Sequence, residues 1–101
     1  MATHVGLHRL AIREYLNAKQ RYAAIDSKLA LRFEEEIDRA IAKIAATPLA
    51  WPVALGSFRW VRARRFPFVL YYHAEDEQRV LVLAVAHSRR RWGYWRRRLS
   101  Y

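Results

Sequence analysis

Three stretches in the second half of the chain decide its fold: FRWVRARRF (58–66), FVLYY (68–72) and RVLVLAVAH (79–87). Each is short and rich in β-branched and aromatic residues, a composition typical of strands. Pro67 separates the first two stretches, and the polar run Glu75–Gln78 predicts a hairpin loop between the last two. The third stretch is apolar on both faces, which predicts a central, covered strand.

Two helical patterns precede these strands. In residues 9–24, side chains of one stripe recur every three or four positions: Ala11, Tyr15, Ala18 and Tyr22. A stronger apolar stripe follows at Leu29, Phe33, Ile37, Ile41 and Ile44. Asp26 or Ser27 can cap the second helix, and Pro48 should end it at Thr47. Because the break between the patterns is short, we expect an antiparallel helix hairpin.

These patterns predict an α+β fold in one domain, residues 1–101. The helix hairpin, at about 9–46, would pack on one face of a small, mainly antiparallel sheet of three to four strands at about 58–87. It is the only cover for the sheet that the patterns suggest. We interpret residues 49–57 as a loop, and a further short strand near His4–Leu7 is possible, although its glycine weakens the pattern.

The chain is strongly basic. It has 19 Lys and Arg residues against 9 Asp and Glu, giving a net charge of +10. A tail, SRRRWGYWRRRLSY (88–101), carries six arginines and no acid. Such a charge favours nucleic acid, the ribosome or an acidic protein as a partner, and solubility alone is the alternative explanation.

Composition also excludes several classes of protein. With no cysteine, the chain has no disulfide, thiolate zinc site or thiol nucleophile. It shows no secretory pattern, and its longest apolar run, 80–86, is too short to cross a membrane, so we expect a cytoplasmic protein without membrane partners. We interpret the acids Glu34, Glu35, Glu36 and Asp38 as a solvated face, with a carboxylate metal site as the alternative. We expect no metal and no cofactor.

Four pieces of the sequence resemble the RelE/ParE superfamily of type II toxins. They are Ala11-Ile12-Arg13-Glu14 with Ala18 and Tyr22, LALRFEEEIDRAIAKI (29–44) closing on Thr47-Pro48, RFPFVLYY (65–72), and AVAHSRRRWGYW (84–95). Their order and spacing cover the chain from about His8. The sequence departs from the family at Trp92 and Arg9, where proline is common, and Trp92 leaves the tail less rigid.

The resemblance implies a growth-inhibiting toxin, as in plasmid-stabilisation systems, held by an acidic antitoxin encoded beside it. Two mechanisms remain open. ParE-like members poison DNA gyrase without catalysis, and the long predicted helices resemble that branch. RelE-like members cleave mRNA on the ribosome without a metal. A third possibility is a non-toxic basic module that binds nucleic acid or the ribosome.

Candidate site residues follow from these alternatives. For RNA cleavage, His87 would serve as general base or acid, Arg65 and Arg90 would hold the scissile phosphate, and Tyr94 and Trp95 could stack on bases. His87 could equally cap the sheet, and of Tyr71 and Tyr72 at least one should be core or sheet surface. Tyr94 joins His87, Arg65 and Arg90 in the catalytic set. A surface for target or antitoxin would comprise Arg59, Arg65, Arg89, Arg90, Arg91, Trp92, Trp95 and Arg96.

Overall fold

The computed structural model describes residues 3–100, and for Ser100 the backbone alone. In that range the chain forms two helices, five strands and a short 3₁₀ helix. In chain order these are β1 (His4–Leu7), α1 (Arg9–Ile25), α2 (Ser27–Ala46), β2 (Val53–Leu55), β3 (Phe58–Arg62), β4 (Phe68–Ala74), β5 (Arg79–His87) and the 3₁₀ helix Arg96–Ser100. None of the helices in the described range is long and apolar enough to cross a membrane.

The strands form one open sheet in the order β1-β5-β4-β3-β2. β1 runs parallel to β5, with Leu7 opposite Val82, and the other neighbours are antiparallel. The predicted α+β class and the mainly antiparallel sheet are confirmed, but the sheet has five strands rather than three to four. The additional strand, β2, lies in the segment predicted to be a loop. The sequence does not predict it because its three residues are too few to give a strand pattern.

β3 is shorter than predicted and ends at Arg62 instead of Phe66. The chain turns at Arg65, whose φ of 67° is left-handed, and Pro67 follows. The Ala63 N–H donates to the Phe68 carbonyl at 3.0 Å, which closes the turn before β4. Arg65 therefore lies in a turn, and the prediction of a strand through residue 66 is wrong.

A cap at Asp26 separates the two helices. Its carboxylate accepts the Lys28 N–H at 2.9 Å, while its own N–H donates to the Tyr22 carbonyl at 2.9 Å. One residue thus ends α1 and begins α2, which produces the predicted hairpin.

The larger core lies between this hairpin and the sheet. Phe33 of α2 is fully buried, and its ring lies 5.1–5.7 Å from four aromatic rings: Tyr15, Tyr22, Phe66 and Phe68. Tyr72 is buried on the same side, and its hydroxyl donates to the Pro48 carbonyl at 2.6 Å. Tyr72 is therefore a core residue, as was expected of at least one member of the Tyr71–Tyr72 pair.

The tail covers part of the opposite face of the sheet, so the hairpin is not the only cover. Trp95 is fully buried there, stacked on Tyr71 at 4.5 Å and edge-on to Phe58 at 5.1 Å. A turn at Gly93, with φ of 81°, reverses the tail before Trp95. The prediction that Trp95 stacks bases or contacts a partner is wrong, because the sheet already covers its ring.

One of the predicted solvated acids is also buried. Glu36 is 5% exposed, and its carboxylate accepts from Arg39 at 2.7 Å, one turn further along α2. This local ion pair compensates the charge that burial would otherwise leave unpaired.

Candidate functional site

Glu14 of α1 lies where the parallel pairing of β1 and β5 ends. The last backbone bond of that pairing runs from the His8 N–H to the Val82 carbonyl at 2.8 Å. Beyond it, the Glu14 carboxylate accepts the Val85 N–H at 3.1 Å, and Arg98 donates to the Leu83 carbonyl at 2.9 Å. No strand pairs with this part of the β5 edge within the described residues. The side chains of Glu14 and Arg98 bond to its backbone groups instead, since buried backbone groups need partners.

The same carboxylate holds the tail. Arg98 donates to both oxygens of Glu14, at 2.8 and 3.0 Å, and is 8% exposed. The Tyr94 hydroxyl donates to Glu14 at 2.6 Å, and Arg90 lies 3.7 Å from the carboxylate. Charge-assisted, two-point bonds of this kind fix orientation as well as distance.

Two guanidinium groups lie over the ring of Tyr94. Arg90 is 3.8 Å and Arg98 4.9 Å from the centre of its ring, distances at which cations interact with aromatic faces. Burial and the hydrogen bond to Glu14 both raise the pKa of Tyr94, and the two arginines oppose that rise in part. Its phenol therefore stays protonated at neutral pH and keeps its proton directed at Glu14.

A basic cleft opens between α1 and the start of the tail, with a volume of about 340 Å³. The lining residues are Glu14, Asn17, Arg21, Phe68, Val85, His87, Arg89, Arg90 and Tyr94. Asn17 and Arg21 follow Glu14 by three and seven positions, so they share one face of α1. The other polar residues come from the end of β5 and from the tail.

The charge of the basic cleft is unbalanced. Among the described residues that line it, Glu14 is the sole acid, and Arg98, outside the cleft lining, already pairs with that carboxylate. Neither Arg21 nor Arg89 forms an ion pair within the described range. The basic cleft can therefore attract an anion.

His87 ends β5 at the wall of the basic cleft. Its Nδ1 accepts the Arg89 N–H at 3.0 Å, and its ring meets Phe68 edge-on at 5.2 Å. Because Nδ1 accepts, the ring proton of the neutral imidazole sits on Nε2. His87 therefore caps the turn into the tail, and its neutral ring presents a donor at Nε2.

The basic cleft brings together some of the predicted site residues. His87, Arg89, Arg90 and Tyr94 all line it, whereas Arg65 is exposed in the turn after β3 and does not. The predicted catalytic set is thus not assembled in one place.

The remaining predicted binding residues lie elsewhere. Arg59 donates to the Trp51 carbonyl at 2.6 Å and so holds the loop before β2. Arg91, Trp92 and Arg96 are exposed on the tail, and Trp92 borders a shallow groove with Val53, Ala54, Trp60 and Tyr71.

Sequence reasoning missed Glu14, Asn17 and Arg21 as site residues. Glu14 belongs to the quoted piece Ala11-Ile12-Arg13-Glu14, and it is a lone acid among basic and apolar neighbours. Its three- and seven-residue spacing to Asn17 and Arg21 was the signal that could have placed all three on one surface.

Comparison with known proteins gives the family. The model of the ParE toxin of type II toxin–antitoxin systems, parDE, matches residues 5–92. A solved structure described as a chromosomal ParDE toxin–antitoxin system from P. aeruginosa is similar, with a TM-score of 0.71 and 13% sequence identity. The similarity covers 84% of this chain and 95% of that one, and at this identity it shows the fold alone. No curated protein matches. The chain belongs to the ParE toxin family of type II toxin–antitoxin systems.

Proposed function

We propose that this protein inhibits growth in the cytoplasm by acting on DNA gyrase, and that a cognate acidic antitoxin neutralises it. The family match over residues 5–92 carries the proposal. Gyrase is the target of the ParE branch, which the sequence resembles through its long helices. Those helices have 17 and 20 residues.

The chemistry of the basic cleft supports an interaction surface more than a nuclease centre. The Tyr94 hydroxyl donates to Glu14, and Nδ1 of His87 accepts a backbone N–H. Both groups are thus engaged in local bonds, and Arg65 lies elsewhere. General acid–base catalysis needs groups free to exchange a proton with the substrate.

One observation keeps a second candidate function, ribosome-dependent mRNA cleavage, in consideration. His87, Arg90 and Tyr94 line one basic cleft, and those residue types can share the steps of metal-independent RNA cleavage. This function would require Tyr94 to leave Glu14 when RNA binds.

An acidic antitoxin fits the exposed part of the tail. Arg91 and Arg96 flank the exposed Trp92, and no acid occurs anywhere in residues 88–101. Arginine and tryptophan are enriched among residues that dominate binding energy. An antitoxin bound there would mask the exposed part of the tail.

Induced expression in bacterial cells tests the proposed function. We expect growth arrest with filamentation and DNA breaks covalently linked to gyrase, and we expect co-expression of the open reading frame encoded beside this gene to prevent both. Ribosome-associated mRNA cuts without gyrase-linked breaks would instead establish the second function. Normal growth at full expression of the folded protein would contradict both.

A further inference from the structure

We infer that the basic cleft binds a phosphate group presented by a nucleic-acid strand. The inference rests on the proposed function in one respect, namely that the basic cleft contacts the target. The DNA bound by gyrase would then supply the strand.

The charge of the basic cleft favours an anion. Arg21, Arg89 and Arg90 contribute three guanidinium groups to the basic cleft, and the Glu14 carboxylate is already paired with the buried Arg98. Arg90 lies 3.7 Å from that carboxylate and stacks on Tyr94, so its guanidinium is oriented before any ligand arrives. Arg21 and Arg89 form no ion pair with any described acid, so an anion entering the cleft meets their positive charge.

The number of donors in the basic cleft favours a phosphate. Besides the guanidinium groups, the lining residues carry two further donors: the side-chain amide of Asn17 and the Nε2–H of His87. A carboxylate offers two oxygens to such a set, whereas a phosphate offers its nonbridging and ester oxygens in a tetrahedral arrangement. Forked guanidinium donors make two-point contacts to carboxylates and phosphates alike, so the number of donors decides between them. The donor set therefore favours phosphate over an acidic side chain.

The exposure of the basic cleft favours a long strand as the source of the phosphate. Arg21, Arg89 and Arg90 are exposed at the mouth of the cleft, so a long strand can reach them without entering an enclosed pocket. Arg91 is exposed next in sequence, and the whole chain carries a charge of +10. A field of that size attracts a polyanion far more strongly than a single small ion. Because the Tyr94 hydroxyl donates to Glu14 and Nδ1 of His87 accepts a backbone N–H, neither group is free to take a proton from the strand, and we expect the bound strand to stay intact.

The test is direct binding of a fluorescent single-stranded DNA of about twelve nucleotides, at several salt concentrations. The test variant is Arg21→Ala/Arg89→Ala. The control is Arg32→Ala/Lys43→Ala, which removes the same charge from exposed positions of α2 outside the cleft. Circular dichroism verifies that both variants are folded.

We expect the affinity of the test variant for the DNA to fall at least about tenfold. The slope of log affinity against log salt concentration should become shallower by about 1.4, the value for two lost phosphate contacts on a single strand. The control should lose less than about threefold. Inorganic phosphate should shift the NMR signals of the Asn17 side-chain amide and the His87 ring in the unaltered protein, and the DNA should be recovered uncut.

Equal losses in the two variants would contradict the inference, because they would show attraction by net charge alone. Binding of a glutamate-rich peptide in the cleft, without binding of DNA, would also contradict it and would identify a protein partner. Either result could occur while the protein still poisons gyrase through protein contacts. Failure of this inference is therefore distinguishable from failure of the proposed function.

Discussion

Arg98 and Glu14 lie 84 positions apart in the chain and form a two-point ion pair at 2.8 and 3.0 Å. The pair joins the end of the tail to α1 and satisfies the edge of β5 at Leu83 and Val85. It also places Tyr94 and Arg90 beside the basic cleft. The pair thus connects the stability of the fold to the geometry of the candidate site.

Removing the carboxylate should destabilise the protein strongly. Glu14→Ala removes the carboxylate beside the largely buried Arg98, and we expect a loss of about 3 kcal/mol in the free energy of unfolding. Glu34→Ala is the matched control, because the Glu34–Lys19 pair is more exposed and its loss should leave the unfolding midpoint nearly unchanged. Urea unfolding of both variants measures the difference, and similar midpoints would contradict the role assigned to Glu14.

The two tryptophans of the tail should behave differently. Trp95→Ala removes a fully buried ring and should cost about 3–5 kcal/mol, as for other buried aromatic residues. Trp92 is 54% exposed, so Trp92→Ala should cost less than about 1 kcal/mol and affect partner binding instead. Thermal unfolding and an antitoxin pull-down separate the two effects. A stability loss at Trp92 equal to that at Trp95 would contradict the placement of the tail.

His8 should make stability depend on pH. It caps α1 by accepting the Leu10 N–H at 3.1 Å. Burial lowers its pKa below 6.5, and the neighbouring Arg98 and Arg9 lower it further, while a hydrogen bond to the Arg98 backbone and the charge of Glu14 oppose the shift.

The direction of that dependence follows from the lowered pKa. The unfolded chain binds the proton more tightly, so the contribution of His8 is complete above about pH 6.5 and is lost as pH falls through its lower folded value. His8→Asn keeps a good capping group without the titration. We expect the unaltered protein to lose more stability than this variant between about pH 8 and about pH 5.5, and parallel losses would contradict the assignment.

Tyr94→Phe separates binding from catalysis. The substitution keeps the ring beside Arg90 and Arg98 and removes the hydrogen bond to Glu14, so we expect a cost of about 1–2 kcal/mol. Growth inhibition should persist, because no proton transfer by Tyr94 is required for gyrase poisoning. Loss of toxicity in a folded Tyr94→Phe variant would favour the mRNA-cleavage alternative.

The helices and the central strands could be predicted because their signals are local. The apolar stripe that includes Phe33 predicts the buried face of α2, and the short runs of β-branched and aromatic residues predict the strands β3 to β5. β2 could not be predicted in this way, because a three-residue strand has no period to detect and depends on its pairing with β3.

The candidate site was predicted less completely, and the tail shows why. Its sequence predicts an exposed surface that includes Trp95, whereas the Trp95 ring is buried against Tyr71. Arg98, which that surface does not include, is buried and paired with Glu14. Glu14 and Tyr71 are distant in sequence from the residues that they bury, and composition does not show which residues meet in the fold. An acid-free run therefore predicted the net charge of the tail correctly but not which of its side chains remain available.

The most direct measurement uses purified gyrase, supercoiled plasmid and the purified protein. We predict that the protein increases covalent gyrase–DNA complexes in a dose-dependent manner, that prior addition of the antitoxin prevents the increase, and that Arg32→Ala/Lys43→Ala retains it. No increase in such complexes at any dose, together with specific mRNA cleavage on purified ribosomes, would contradict the account.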